Sequence, residues 1–114
     1  MRKLDRKTLI KKLDKLYSER VKSIGYCQRC GKFKNQVQLQ TAHIYSRRYK
    51  HLRWESENAV CLCAGCHFWA HQNPVEFSFW VAELKDITKL RILRQNTEPI
   101  KTYQLQTLYD LLKG

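Results

Sequence analysis

The sequence lacks the apolar runs that place a chain in or across a membrane. No stretch approaches the ~18 consecutive apolar residues of a membrane-spanning helix, and the first residues do not form the apolar segment of a secretory signal. Internal repeats and low-complexity segments are also absent. We therefore expect a single domain over residues 1–114, away from membranes and located in the cytoplasm.

Acidic residues are scarce. The chain has 10 Asp and Glu against 22 Lys and Arg, a formal net charge of +12. Such an excess suits a polyanionic partner, for which nucleic acid is the commonest candidate, although a merely solvated basic surface is the alternative. The charge is concentrated in residues 1–34, which we interpret as an electrostatic arm. Its candidate nucleic-acid contacts are Lys3, Arg6, Lys7, Lys11, Lys12 and Lys15.

The cysteines do not suit a disulfide framework, because there are five of them and four form two CxxC pairs. The pairs are Cys27 with Cys30 and Cys63 with Cys66. A tight turn of this kind presents two thiolates to one tetrahedral ion, so the pattern predicts a structural Zn²⁺ site, with buried unliganded thiols as the alternative. Cys61 is left over, and we expect it to be a small core residue.

Hydrophobic periodicity predicts an α+β chain that is mostly helical. An apolar stripe through Leu9, Leu13, Leu16 and Tyr17, continued by Val21 and Ile24, predicts a basic amphipathic helix over residues 4–23. Alternation predicts strands at 36–43 and 59–62, joined by a long basic loop at 44–57. Helices are expected at 64–72, from Pro74 behind an Asn73 cap, and around 88–95. The predicted apolar stripe of the helix after Pro74 is Phe77, Trp80, Val81 and Leu84. The stripe of a final helix is Leu105, Leu108, Tyr109 and Leu112.

Four polar side chains are not needed by a four-cysteine zinc site. His67 and His71 are four residues apart on the predicted helix, so they share one face and can share a metal ion, although exposed histidines are often without function. Asn58 precedes the second strand, and His43 ends the first. A histidine base beside a bound Lewis acid is an arrangement that can hydrolyse phosphodiesters.

The motifs CxxC, "AHIYSRR", "WESENAVCLCAGCH" and "AH" together resemble the HNH endonucleases of the ββα-metal fold, including small phage recombination and genome-processing nucleases. The resemblance covers about residues 26–74. It implies that His43 is the general base, that Asn58 orients the loop carrying that base, and that His67 and His71 hold a catalytic divalent ion such as Mg²⁺ or Mn²⁺. On this interpretation residues 1–25 are a basic helical arm, 26–74 a zinc-stapled HNH core and 75–114 a helical extension.

One position departs from the family pattern. Many HNH nucleases have a metal ligand directly before the base, where this chain has Ala42. His51 is a spare ligand, although an exposed loop histidine is the simpler interpretation. Trp54 is expected to anchor the loop in the core. The loop's candidate phosphate contacts are Arg47, Arg48, Lys50 and Arg53.

The resemblance thus predicts a metal-dependent DNA endonuclease acting on duplex or branched DNA as a monomer or weak dimer. A phage-encoded protein of this kind would act in the host cytoplasm. The main alternative is a zinc-stapled DNA-binding adaptor without cleavage activity. A nuclease directed at RNA, or one with a toxin-like role, would retain the same chemistry with another substrate.

Overall fold

The computed structural model describes residues 4–114 and confirms the α+β class. Over that range it contains five α-helices and one two-stranded antiparallel sheet. The strands are β1 (Leu39–His43) and β2 (Ala59–Cys63); the helices are α1 (Arg6–Lys22), α2 (Ala64–Gln72), α3 (Pro74–Leu84), α4 (Ile87–Arg94) and α5 (Thr102–Lys113). None of these helices is both long and apolar enough to cross a membrane. Lys3 of the predicted arm lies outside the described residues.

Helix α1 is confirmed to within two residues at its start and one at its end. The Asp5 carboxylate accepts a hydrogen bond from the Thr8 N–H at 2.7 Å, which caps the first turn. Leu9, Leu13 and Tyr17 are buried, and they pack with Leu105 of α5 in one hydrophobic cluster. The basic arm is therefore not a separate appendage, because its apolar face is covered by the C-terminal helix.

The sheet places the end of β1 beside the start of β2. Leu39 pairs with Cys63 and His43 with Ala59. The first strand begins three residues later than predicted, because the N–H groups of Gln36 and Val37 both donate to the Phe33 carbonyl and form a turn instead. Strand β2 is buried along its whole length, which confirms Cys61 as a core residue.

Helix α2 follows β2 without an intervening loop, and its bounds agree with the prediction. Asn73 lies at the N-cap of α3, as predicted, but its side chain donates to the Trp69 carbonyl at 3.0 Å and so completes the end of α2 instead. In α3 Val81 is buried, whereas Leu84 is 47% exposed and does not belong to the core stripe. A second hydrophobic cluster joins Val81 to the sheet and the cysteines.

Candidate functional site

The cysteines of both CxxC pairs meet at one point. The Sγ atoms of Cys27, Cys30, Cys63 and Cys66 all lie within 4.8 Å of one another. A tetrahedral ion with Zn–S bonds of about 2.3 Å requires sulfur atoms about 3.8 Å apart, and the Cys30 and Cys63 sulfurs are 3.8 Å apart. This four-cysteine cluster could therefore hold one metal ion such as zinc.

The two halves of the cluster share one kind of hydrogen bond, between the backbone and a sulfur. The Cys30 N–H donates to the Cys27 Sγ at 3.5 Å, and the Cys66 N–H donates to the Cys63 Sγ at 3.4 Å. Gly31 has φ +79°, a conformation that side chains disfavour, which explains a glycine directly after the second cysteine. Because Cys63 also caps α2, the cluster fixes where that helix begins.

The electrostatics of the cluster favour a bound cation. Burial opposes ionisation of Cys27, but hydrogen bonds from the backbone of Cys30, Cys63 and Arg29 lower its pKa to about 6. Burial, together with the neighbouring Cys63 and Cys27, raises the pKa of Cys66 to about 12, despite a hydrogen bond from Arg29. One thiol thus ionises easily and then disfavours ionisation of the next, and a bound metal ion would offset the repulsion among four thiolates.

A separate cleft of about 670 Å³ brings the three candidate histidines to one place. His43 at the end of β1 lines it together with His67 and His71 of α2. The rings of His67 and His71 stack, with centroids 4.8 Å apart and planes 27° apart. We call this the histidine cleft. The four-residue spacing thus puts both α2 imidazoles on one face, as predicted.

Gln40 fixes the orientation of His67, a role that the sequence did not indicate. Its Oε1 lies 2.7 Å from the His67 Nδ1. Because an amide oxygen only accepts, Nδ1 carries the proton and the Nε2 lone pair is free. Burial, followed by the charge of His71, lowers the pKa of His67 and favours the neutral ring. The sequence signal that could have indicated Gln40 is the alternation of side chains along a strand. Gln40 lies two residues before Ala42 and therefore on the same face of β1.

The surroundings of His43 favour the neutral form of its imidazole. Its ring stacks on Tyr17, with centroids 5.5 Å apart. Burial and then the positive charge of Arg47 lower the pKa of His43, against smaller opposite contributions from the Arg53 backbone and Asp14. The ring therefore retains a free lone pair near neutral pH, as a proton acceptor requires.

Asn58 ties both ends of the loop 44–57 together. It is fully buried, and its Oδ1 accepts from the Tyr45 N–H at 2.8 Å. Its Nδ2 donates to the carbonyls of Tyr45 and Leu52 at 3.0 and 2.9 Å. The Ile44 N–H in turn donates to the Asn58 carbonyl, directly after His43. Asn58 thus holds the backbone that leaves the candidate base.

The basic loop residues have different environments. The Arg47 side chain is 58% exposed and lines the histidine cleft, and its Nη1 lies 3.6 Å from the Asp14 Oδ2. Arg48 is also exposed, and its guanidinium donates to the Tyr49 hydroxyl. Arg53 donates twice to the Asp14 carboxylate, at 3.0 and 2.6 Å. Its guanidinium is therefore occupied within the protein. The exposed Lys50 lines a different cavity.

Asp14 also anchors the loop to α1. Its carboxylate accepts from Trp54 Nε1 at 2.9 Å, and Trp54 is buried in the α1–α5 cluster as the sequence predicted. Asp14 and Ser18 line a cavity that adjoins the histidine cleft through His43. Lys11 precedes Asp14 by three residues and lies on this side of the helix, whereas Lys12 is rotated by about 160° from Asp14.

His51 is not brought to the histidine cleft. Its Nε2 lies 2.8 Å from the Glu98 carbonyl, in another cavity. Ala42 is buried in the core. Within residues 4–114 the four cysteines are the only group of three or more His, Cys, Asp or Glu side chains close enough to hold one ion. His67 and His71 therefore stand as a pair without a third such ligand.

Comparisons of the chain with models of protein families, with curated proteins and with solved structures find no match.

Proposed function

We propose that the protein is a metal-dependent DNA endonuclease of the HNH type. The observation that carries this proposal is the meeting of His43, His67 and His71 in one cleft that the four-cysteine cluster does not use. A purely structural zinc protein has no need of these three histidines. The resemblance of residues 26–74 to HNH nucleases assigns the same three positions to catalysis.

In this proposal His43 removes a proton from the attacking water. The stack on Tyr17 limits rotation of the imidazole, and the lowered pKa keeps it unprotonated at neutral pH. The water oxygen forms the new bond to phosphorus while the bond to the leaving 3′ oxygen breaks. A positioned base of this kind contributes about two to four powers of ten in rate.

His67 and His71 would hold the divalent ion, Mg²⁺ or Mn²⁺. Such an ion supplies Lewis acidity to the phosphate and stabilises the leaving oxygen. The Nδ1–H···Oε1 hydrogen bond to Gln40 directs the free Nε2 of His67, as outer partners of metal-bound histidines do. With Ala42 in place of a further ligand, water and substrate oxygens must complete the coordination.

Asn58 would act through the backbone. Its three hydrogen bonds fix residues 45 and 52, and its carbonyl receives the Ile44 N–H beside His43. The backbone that follows the candidate base is therefore held by a buried amide. We infer that Asn58 is a positioning residue.

DNA would approach the basic side of the cleft. Arg47 is the proposed phosphate contact nearest His43, followed along the loop by Arg48 and Lys50. Arg53 is the least suitable of these residues for a direct phosphate contact, because its guanidinium already donates two hydrogen bonds to Asp14. On α1, Lys11 is better placed than Lys12, since it shares the helix side that borders the adjoining cavity. These contacts grip the phosphate backbone and are therefore independent of base sequence.

The proposal is tested by incubating purified protein with plasmid, linear, single-stranded and branched DNA and with an RNA duplex. Each substrate is combined with Mg²⁺, Mn²⁺ or EDTA, and His43→Ala serves as the control for contaminating nucleases. Metal-dependent cleavage of any DNA that is lost in His43→Ala supports the proposal. Cleavage confined to RNA would support the same hydrolysis mechanism but with RNA, rather than DNA, as the substrate.

The second candidate is a zinc-stapled DNA-binding adaptor. Among residues 4–114 no third ligand lies beside His67 and His71, which favours the adaptor because a pair of histidines alone binds an ion weakly. The same substrate panel separates the two functions. DNA binding without cleavage in every divalent ion would favour the adaptor, provided that the zinc content and fold are intact.

A further inference from the structure

Outside the histidine cleft, two arginines from distant parts of the chain converge on one hydroxyl. Arg48 Nη2 donates to the Tyr49 hydroxyl oxygen at 3.0 Å, and Arg94 Nη2 donates to the same oxygen at 3.4 Å. Arg48 belongs to the loop 44–57, whereas Arg94 is the last residue of α4. The resemblance to HNH nucleases does not extend to α4.

Aromatic rings hold these guanidinium groups in place. Arg48 Cζ lies 5.0 Å and Arg94 Cζ 5.1 Å from the centre of the Tyr49 ring. Arg94 also lies 5.8 Å from the Tyr45 ring, which meets Tyr49 edge to face at 6.0 Å. Cation–π stacking of this kind orients the planar donor fork of arginine.

The group formed by Arg48, Tyr49 and Arg94 has an excess of positive charge and free hydrogen-bond donors. Over residues 4–114 neither Arg48 nor Arg94 forms an ion pair with a carboxylate. Because the Tyr49 oxygen accepts from both, its own O–H remains available to donate. The neighbouring cavity of about 270 Å³ adds Lys50, against one exposed carboxylate from Glu98. Two like charges at one neutral oxygen are poorly compensated until an anion joins them.

We propose that Arg48, Tyr49 and Arg94 bind a phosphodiester of the DNA backbone beside the scissile one. This inference rests on the proposed function and adds α4 to the DNA-binding surface. Arg47 lines the histidine cleft, and the next residue in the chain, Arg48, lines the cavity beside Tyr49 and Arg94. We therefore expect a strand that leaves the cleft past Arg47 to reach Arg48, Tyr49 and Arg94, which we call the two-arginine site. Two guanidinium forks and one hydroxyl match the acceptor oxygens of a phosphodiester.

The test compares Arg94→Gln with Arg91→Gln, which removes the same charge from the same helix. Binding of a labelled DNA duplex is measured by fluorescence anisotropy in EDTA over a range of salt concentrations, so that cleavage does not interfere. Arg94→Gln should reduce the log–log salt slope by about 0.9, the value for one lost phosphate contact, and weaken binding about tenfold. Arg91→Gln should retain the slope. Tyr49→Phe should weaken binding with an unchanged slope, since no charge is lost.

The outcomes separate this inference from the proposed function. If the wild type binds DNA and both arginine variants have the same slope, the two-arginine site is wrong and the nuclease proposal stands. If the wild type does not bind DNA, the proposed function fails, and titration with inorganic phosphate then decides on the anion site. A saturable shift of the Tyr49 ring signals in NMR, absent in Arg94→Gln, supports the site, and no shift in the wild type overturns it.

Discussion

The four-cysteine cluster and the histidine cleft both present metal-ligand side chains, but they differ in completeness. The cluster assembles four sulfurs within 4.8 Å from two CxxC pairs that share the same N–H···Sγ hydrogen bond. The cleft offers two imidazoles from one helix, and one of them is oriented by an amide from a strand. A closed ligand set serves folding, whereas an incomplete one leaves room for water and substrate. The difference indicates that the two sites should respond to mutation in different ways.

The largest expected effect is on folding. Cys66→Ser should abolish zinc binding and the cooperative thermal transition, because a structural zinc site can supply on the order of 10 kcal/mol of binding free energy. Circular dichroism and zinc content measure both losses. Cys61→Ala is the matched control, since Cys61 is buried in β2 but outside the cluster; it should retain zinc. If the Cys66→Ser protein still folds, the four-cysteine cluster does not contribute to the stability of this domain.

The next effect is on rate alone. His43→Ala should retain zinc, thermal stability and DNA affinity, while single-turnover cleavage falls at least about a hundredfold. His51→Ala is the control and should cleave at the wild-type rate, because His51 faces the Glu98 carbonyl in another cavity. Cleavage by His43→Ala within about threefold of the wild type would exclude His43 as the base.

His71→Ala should separate the two metal sites. The variant should stay folded with its full zinc content, yet bind Mn²⁺ at least about tenfold more weakly and need correspondingly more ion for cleavage. Isothermal titration with Mn²⁺ gives the affinity independently of activity. Release of zinc, or unfolding, would instead assign His71 to the four-cysteine site.

Gln40→Leu should have a comparable or smaller effect on Mn²⁺ affinity, in the range of about ten- to a hundredfold. Loss of the acceptor at 2.7 Å removes the preference for the Nδ1–H form of His67, and ¹⁵N NMR of the imidazole reads the tautomer directly. Gln72→Leu, at an exposed position of α2, is the control. An unchanged tautomer in Gln40→Leu would show that Gln40 does not orient His67.

The smallest effect is a shift in pH dependence. Burial and Arg47 lower the pKa of His43, so the cleavage rate should rise with pH through a midpoint below the unperturbed value of about 6.5. Arg47→Gln removes a positive charge that disfavours protonation of His43, so its midpoint should move upward. Rates are compared as kcat/KM, which reports ionisation in the DNA-free protein, with Lys50→Gln as the control of equal charge change. A downward shift in Arg47→Gln would contradict the electrostatic coupling.

Local patterns predicted most of the secondary structure. The bounds of α2 and the onset of α3 at Pro74 agree with the sequence, because capping and periodicity act within a few residues. The start of β1 was less predictable, since the alternation of residues 36–38 resembles a strand while the Phe33 carbonyl holds those residues in a turn. Leu84 fits the apolar period of α3 but lies beyond the surface that the core covers.

The sequence by itself determined the two cysteine turns, the basic charge and the histidine spacing on α2, because each depends on residues that are close along the chain. Only the tertiary structure decided the partners of polar side chains far apart in sequence. Gln40 contacts His67, Asp14 contacts Arg53, and Arg94 contacts Tyr49. Such pairings follow from how helices and loops pack, because periodicity can place a polar residue on one face of an element but does not identify its partner.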